Sequence, residues 1–178
     1  MGTNAALVHL LENKQNAFTD YLNSLSEEEL HRSIGSKWNA LEHAEHIYNS
    51  LRLLPPLYAT PAFLLRWKFG KANRPSHSYD EVKKRYLEKL ASKDVRNNPF
   101  AAKKGKLLRK SEVLLRIDRC IHKLKKQLLK MSSKKLDLCI LPHPLLGKIT
   151  LREMLLFSAY HIEHHQLVMQ RNAATPKP

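Results

Sequence analysis

Glycine is scarce in this chain, and long apolar runs are missing. Five glycines in 178 residues, set among long segments of helical period, argue for an all-α fold. No run of 18 apolar residues occurs, which excludes a membrane-spanning helix and argues against a membrane partner. The N-terminus has no basic region followed by an apolar stretch and a cleavage site, so no secretory signal is read there. The chain opens Met1-Gly2, but Ala6 stands where a myristoylation motif needs Ser or Thr. Cys120 and Cys139 are the two cysteines. They form no C-x-x-C and no disulfide framework, which fits a reducing, cytoplasmic setting. Acidic residues are few as well: 16 Asp and Glu face 31 Lys and Arg, for a net charge of +15. That charge is concentrated between Lys68 and Lys135. It is compatible with nucleic acid, an anionic surface or an acidic substrate. No helix-turn-helix signature, zinc-finger spacing or aromatic-basic strand pattern selects among these.

The residues that are present have an ordinary soluble balance, 43% hydrophobic and 26% charged, and the length suits one domain with a sizeable core. We expect that domain over residues 1–172, with a disordered tail at 173–178. Residues 4–25 place Leu7, Leu10, Leu11, Phe18, Tyr21, Leu22 and Leu25 on one helical stripe. Ser26 to Glu29 is a capping-box sequence opening a short turn of helix. A second, Asn39 to Glu42, opens a helix expected to run to Leu54 and stop at Pro55-Pro56. Residues 57–74 are apolar and then basic, consistent with a short helix, a lid or a dimer contact. A third capping box, Ser78 to Glu81, starts a Lys- and Glu-rich helix to about Ser92. Residues 94–110 read as an exposed crossover loop. Residues 111–131 form another helix by the spacing of Val113, Ile117, Ile121, Leu124 and Leu128. Residues 137–147, with two prolines and a glycine, read as a loop. Thr150 to Glu153 is a fourth capping box and opens the last helix. Four main helices and no convincing strand predict a four-helix bundle with long crossover connections.

The chemistry concentrates in the last helix, in Tyr160-His161-Ile162-Glu163-His164-His165. Residues four apart stack on one helical face, so His161 and His165 have the spacing that two imidazoles need to share one metal ion. The rest of that face is Leu151, Met154, Ser158, Ile162 and Met169, so the pair points toward a core. On the second long helix, His43 and His46 lie toward one edge of the stripe Ala40, Ala44, Ile47, Leu51, Leu54, and His43 is the closer. If the two helices are neighbours, three imidazoles can meet. Such a set leaves at least one coordination position for water or substrate. Zn and Ni suit imidazole best, and Fe and Mn are also compatible. Glu42, Glu45 and Glu163 are the nearby carboxylates by sequence, each read as a surface helix residue. His143, in the loop before the last helix, reads as loop structure.

Three stretches carry a resemblance to the DinB-like superfamily. They are Lys37-Trp38-Asn39 followed by His46, the run Leu141 to Glu153, and Tyr160-His161-Ile-Glu-His164-His165-Gln166. That superfamily includes YfiT-type proteins regarded as metal-dependent hydrolases, and branches that transfer low-molecular-weight thiols. The resemblance implies a DinB/YfiT-type four-helix bundle with one divalent metal held by a histidine of the second long helix and a His-x-x-x-His pair of the last. Matched residue by residue, those ligands fall on His46, His161 and His165. The Trp-to-His spacing selects His46, whereas the face analysis alone does not prefer it to His43. The resemblance further implies thiol S-transferase or hydrolase chemistry, a low-molecular-weight thiol as cosubstrate, a small-molecule substrate and a homodimer. The residues themselves leave two alternatives: a bundle that binds metal or a small ligand without turnover, and a basic nucleic-acid-associated protein using Lys103 to Lys110 and the helix that follows.

Overall fold

A computed structural model describes residues 3–92, 100–102 and 109–174 of the protein. Its helices begin where side chains can close their first turns. Thr3 caps α1 (Asn4–Ser24) by accepting from the Ala6 amide. Ser26 and Glu29 form a reciprocal capping box on α2 (Glu27–His31). Asn39 and Glu42 do the same on α3 (Ala40–Leu51). Each box satisfies two backbone donors that a helix start leaves unpaired.

Sequence spacing runs the second long helix to Leu54, but α3 stops at Leu51 and α4 (Leu54–Ala59) follows. Pro55 and Pro56 fall inside the first turn of α4, where the missing amide hydrogens have no intrahelical partner to lose. The prolines therefore open a helix rather than only ending one. α5 (Ala62–Phe69) ends at Gly70, whose φ of 95° requires glycine. The third capping box holds in α6 (Tyr79–Ser92), where Ser78 and Glu81 exchange bonds. α7 (Lys110–Lys130) and the short α8 (Ser133–Leu138) come next.

The all-α bundle stands, but the structure corrects the reading of residues 137–147 as a loop without strands. β1 (Ile140–His143) and β2 (Gly147–Thr150) form an antiparallel hairpin with Ile140 opposite Thr150 and His143 opposite Gly147. Gly147 takes a φ of 72°, which suits the return of the turn. The His143 ring braces that turn: its Nδ1 accepts from the amides of Leu145 and Leu146 at 3.2 and 3.0 Å. Thr150 ends β2 and caps α9 (Leu151–Ala173), completing the fourth capping box with Glu153.

α1, α3, α7 and α9 form the four-helix bundle. α1 touches α7 and α9, and α3 touches the same two from the other side, so the consecutive helices α1 and α3 sit on opposite corners. Phe18, Leu22, Ala44, Ile47, Ile117, Leu124 and Leu128 fill the centre, all essentially excluded from solvent. Each large apolar side chain so buried contributes about 1.5–3 kcal/mol. α6 lies against α9, and α4 against α7. The long connection from α3 to α7 thus carries its own helices. The greater part of the stretch read as an exposed crossover lies outside the described residues. Within it, Phe100 is half-buried and Ala102 is buried. Of the residues expected as a tail, 175–178 are also outside the described set, while α9 itself reaches Ala173. No helix among the described residues is long and apolar enough to cross a membrane.

Two partly buried ion pairs anchor the start of α9. Glu153 accepts from both terminal nitrogens of Arg74 and from the amides of His77 and Thr150. Arg152 donates through Nε and Nη2 to the two Asp137 oxygens. The Arg152 guanidinium, with Ser76, holds the Asp137 carboxyl below its ordinary value.

The hairpin brace makes stability pH-dependent. Burial pushes His143 down to about 4, below the unfolded value near 6.5. The native state prefers the neutral ring, so the brace is fully present above pH 6.5 and is lost as pH falls toward 4. Chemical denaturation of wild type and His143→Ala should give a stability gap near pH 7 that narrows by up to roughly 1.4 kcal/mol per pH unit across that window. A gap independent of pH would refute the brace.

Candidate metal centre

The capping box at Asn39 sets the phase of α3 and turns His43, Ala44 and Ile47 toward the bundle. His46 follows on the same side. α9 brings His161 and His165 from the facing wall. All four histidines are buried, with 5, 2, 6 and 8% of their surface exposed in the order His43, His46, His161, His165. Helical spacing alone places His43 and His46 at a stripe edge, but this side of α3 is buried almost continuously from Ala40 to Ile47.

Three ring nitrogens converge. His46 Nε2 lies 3.1 Å from His161 Nε2, and His165 Nε2 lies 3.0 Å from the same atom. The donor nitrogens of His46, His161 and His165 all fall within 4.8 Å of one another. The three residues matched as ligands by the resemblance are thus brought together in one cluster, and His43 is not part of it.

Protons alone satisfy this cluster poorly. His46 Nδ1 faces the carbonyl oxygen of Phe100 at 3.0 Å. A carbonyl only accepts, so in the neutral ring the hydrogen is on Nδ1 and Nε2 is a bare lone pair. A hydrogen on His161 Nε2 then has two acceptors to share. A hydrogen on His165 Nε2 instead leaves His46 and His161 facing each other lone pair to lone pair. Adding protons is opposed by burial, which pushes His161 and His165 well below the ordinary imidazole value. Burial also lowers His46, partly offset by the Phe100 carbonyl. A cation accepts lone pairs from all three at once. Tetrahedral Zn–N bonds of about 2.0–2.1 Å would set the nitrogens roughly 3.3 Å apart; the two separations from His161, 3.1 and 3.0 Å, are within a few tenths of that, and the third is under 4.8 Å. The donor set therefore fits a divalent ion.

Aromatic rings enclose the cluster. Trp38, immediately before the α3 cap, lies 5.1 Å from the His46 ring and is stacked near His165 at 6.3 Å. Phe157, one turn before His161, stacks on it at 4.9 Å. Tyr86 of α6 meets His161 edge-on at 6.1 Å. His164 is half-buried on another side, against Tyr86 and Tyr160. His143 packs against Phe157 at 4.2 Å and is not in the cluster.

The three nearby carboxylates are engaged elsewhere. Glu42 closes the α3 capping box. Glu163 pairs with Lys14 at 2.8 Å and accepts from Tyr79. Glu45 is buried rather than on the surface, and pairs with Arg116 of α7 at 2.8 Å. Sequence reasoning missed two features. One is the Phe100 carbonyl behind His46, which comes from a distant segment and leaves no local signal. The other is the contact between His43 Nδ1 and His165 Nδ1, 2.8 Å apart, for which the only hint was the position of His43 on the apolar stripe.

A buried cluster with too few hydrogens costs stability when no cation is bound. In chelator-treated protein, His161→Leu should therefore raise the stability by about 1 kcal/mol while abolishing stabilisation by added metal. Thermal melts with and without metal check both halves. A less stable apo variant would mean that protons already satisfy the histidines.

Comparison with known proteins agrees with this architecture. A solved structure described as "Crystal structure of TT2238, a four-helix bundle protein" superposes with a TM-score of 0.55 at 20% identity, covering 95% of this chain and 99% of that one. At that identity the likeness speaks to the fold alone. No curated protein matches the sequence. The family model of the DinB superfamily matches residues 10–169, nearly the whole described chain. The chain therefore belongs to the DinB superfamily.

Proposed function

We propose that this protein is a metal-dependent enzyme whose three-histidine site, His46, His161 and His165, activates a low-molecular-weight thiol for transfer to an electrophilic small molecule. The observation that carries the reading is the convergence of three buried imidazoles, with His46 Nε2 and His165 Nε2 at 3.1 and 3.0 Å from His161 Nε2 and too few hydrogens to satisfy them. A three-imidazole set leaves coordination room for an exogenous ligand, as catalytic sites do. Bound there, a divalent ion, with Zn or Ni favoured over Fe or Mn, would supply Lewis acidity sufficient to ionise a thiol.

The chain's own residues do the rest. The Phe100 carbonyl orients His46 through Nδ1. Phe157 and Trp38 fix the ring planes of His161 and His165 and limit water access. Glu42, Glu45 and Glu163, the carboxylates nearest by sequence, are committed to a helix cap and to cations. A thiol is more acidic than water before it binds and would be deprotonated outright on coordination, which favours a thiol as the nucleophile where no carboxylate is available as base. In the transfer step the thiolate sulfur forms a bond to carbon and the leaving group departs with its electron pair. The thiol proton goes to solvent. Hydrolysis remains the second enzymatic outcome of the same site. We further propose that the protein works as a homodimer, to be checked by light scattering.

Untagged protein purified without chelator should carry about one equivalent of Zn, Ni, Fe or Mn per chain by elemental mass spectrometry. The His161→Ala/His165→Ala variant should carry none. A panel of small thiols tested against a fluorogenic alkyl-halide electrophile should then show turnover that the variant loses. Metal-dependent melting without turnover would support a binding module instead. Nucleic-acid binding that falls steeply with salt and ignores the histidines would favour the basic-surface alternative. Of the residues that alternative uses, 103–108 lie outside the described set.

A further inference from the structure

We propose that His43 is the positioning residue of the site: its Nδ1 accepts a hydrogen bond from His165 Nδ1–H and so fixes His165 in the tautomer that presents Nε2 inward. The inference rests on the three-histidine reading, but its geometry is separate. His43 is not one of the converging ligands, and its Nδ1 meets His165 Nδ1 at 2.8 Å on the far side of that ring from the cluster.

Two facing imidazole nitrogens at 2.8 Å share one hydrogen, so there are two arrangements. If His43 donated, His165 would carry its single hydrogen on Nε2, pointing at His161. That would place a hydrogen inside the cluster and force His46 and His161 lone pair to lone pair. If His165 donates, its Nε2 is bare, like that of His46, and both aim at the same point. The second arrangement moves the hydrogen out of the cluster. It leaves His43 as the Nε2–H form.

The surroundings of His43 agree with that role. His43 Nε2 is fully buried and has no hydrogen-bond partner among the described residues. The ring instead meets Trp38 edge to face, 5.5 Å between centroids. A histidine kept buried with one nitrogen unanswered costs stability, and the bond that it does make is to a ligand ring. Ligating histidines ordinarily pass their second N–H to a carboxylate, carbonyl or water. His46 follows that pattern with Phe100, whereas His165 is answered by another imidazole. A neutral acceptor leaves His165 a weaker donor to metal than a carboxylate would, and adds no negative charge to the site.

The test uses chelator-treated full-length protein titrated with Zn²⁺ in competition with a chromophoric chelator, and ¹⁵N NMR of the histidine rings. Wild type, His43→Phe and His43→Gln are compared, the glutamine because its amide oxygen can accept from His165. His43→Phe should weaken Zn²⁺ binding ~10- to 100-fold, and His43→Gln should recover most of that loss. In metal-free wild type the His165 ring should show its hydrogen on Nδ1. Unchanged affinity in His43→Phe, a His43→Gln no better than His43→Phe, or the His165 hydrogen on Nε2 would each overturn the proposal. If wild type binds none of Zn²⁺, Ni²⁺, Fe²⁺ or Mn²⁺, the three-histidine reading fails, and the ring spectrum still decides the His43–His165 bond.

Discussion

The structure depends on burying one helix on every side. From Leu151 to Ile162, each residue of α9 is buried, although that stretch includes Arg152, Glu153, Ser158 and His161. A helix surrounded by protein cannot hand its polar groups to water, so each needs a partner inside. The first two turns are answered by the chain: Arg152 by Asp137, Glu153 by Arg74 and two backbone amides, and Ser158 by the Met154 carbonyl. Farther along, His161 and His165 meet mainly other histidines. The protein supplies partners for every polar group of the early turns and then supplies more acceptors than donors.

That imbalance is built by the bundle's connectivity. α3 sits diagonal to α1 and beside α9, which is the arrangement that lets His46 reach the α9 pair. Trp38 is positioned by the same capping box that phases α3, so one short sequence sets both a histidine of the cluster and a wall around it. The hairpin has a comparable double use. Thr150 is the last residue of β2 and the N-cap of α9, so the strand register fixes where the helix begins. His165 lies about four turns beyond Thr150, and over that distance a shift of one residue would rotate the pair out of the cluster.

Much of this was legible in the sequence because it is local. All four capping boxes read from Ser26, Asn39, Ser78 and Thr150 form as expected, since a cap needs only a side chain and a residue three positions on. The i, i+4 histidine pair was equally readable. What failed was non-local. Residues 137–147 read as a loop although the hairpin spans 140–150, since each strand is only four residues long, one holds Pro142, and no alternating pattern marks them. Glu45 read as a surface residue, because the arginine that allows its burial, Arg116, is on α7. The choice between His43 and His46 could not be made from the stripe of α3, since a helix wedged between α7 and α9 buries more than a single stripe. Both histidines turned out to be interior, and family spacing alone separated the one at the cluster from the one behind it.

Whether a metal bound at the cluster would serve the fold is the remaining question of economy. Metals that hold folds together occur where a chain is too short to build a core, and there the fold is lost with the ion. This protein has no such need. Phe18, Leu22, Ile47, Leu124 and Leu128 fill the bundle at its centre without the histidines, and the anchors of α9 at Glu153 and Arg152 lie at the helix's start, about two turns or more from His161. The cluster is therefore a local cost borne by a fold that is stable for other reasons. Buried polar groups with incomplete partners recur at sites of ligand binding and catalysis, where the missing partner is what the site exists to bind. By that reasoning the three imidazoles are better understood as a position held ready on a self-sufficient bundle than as a staple, and this favours an exchangeable ligand at the open coordination position over a closed structural ion.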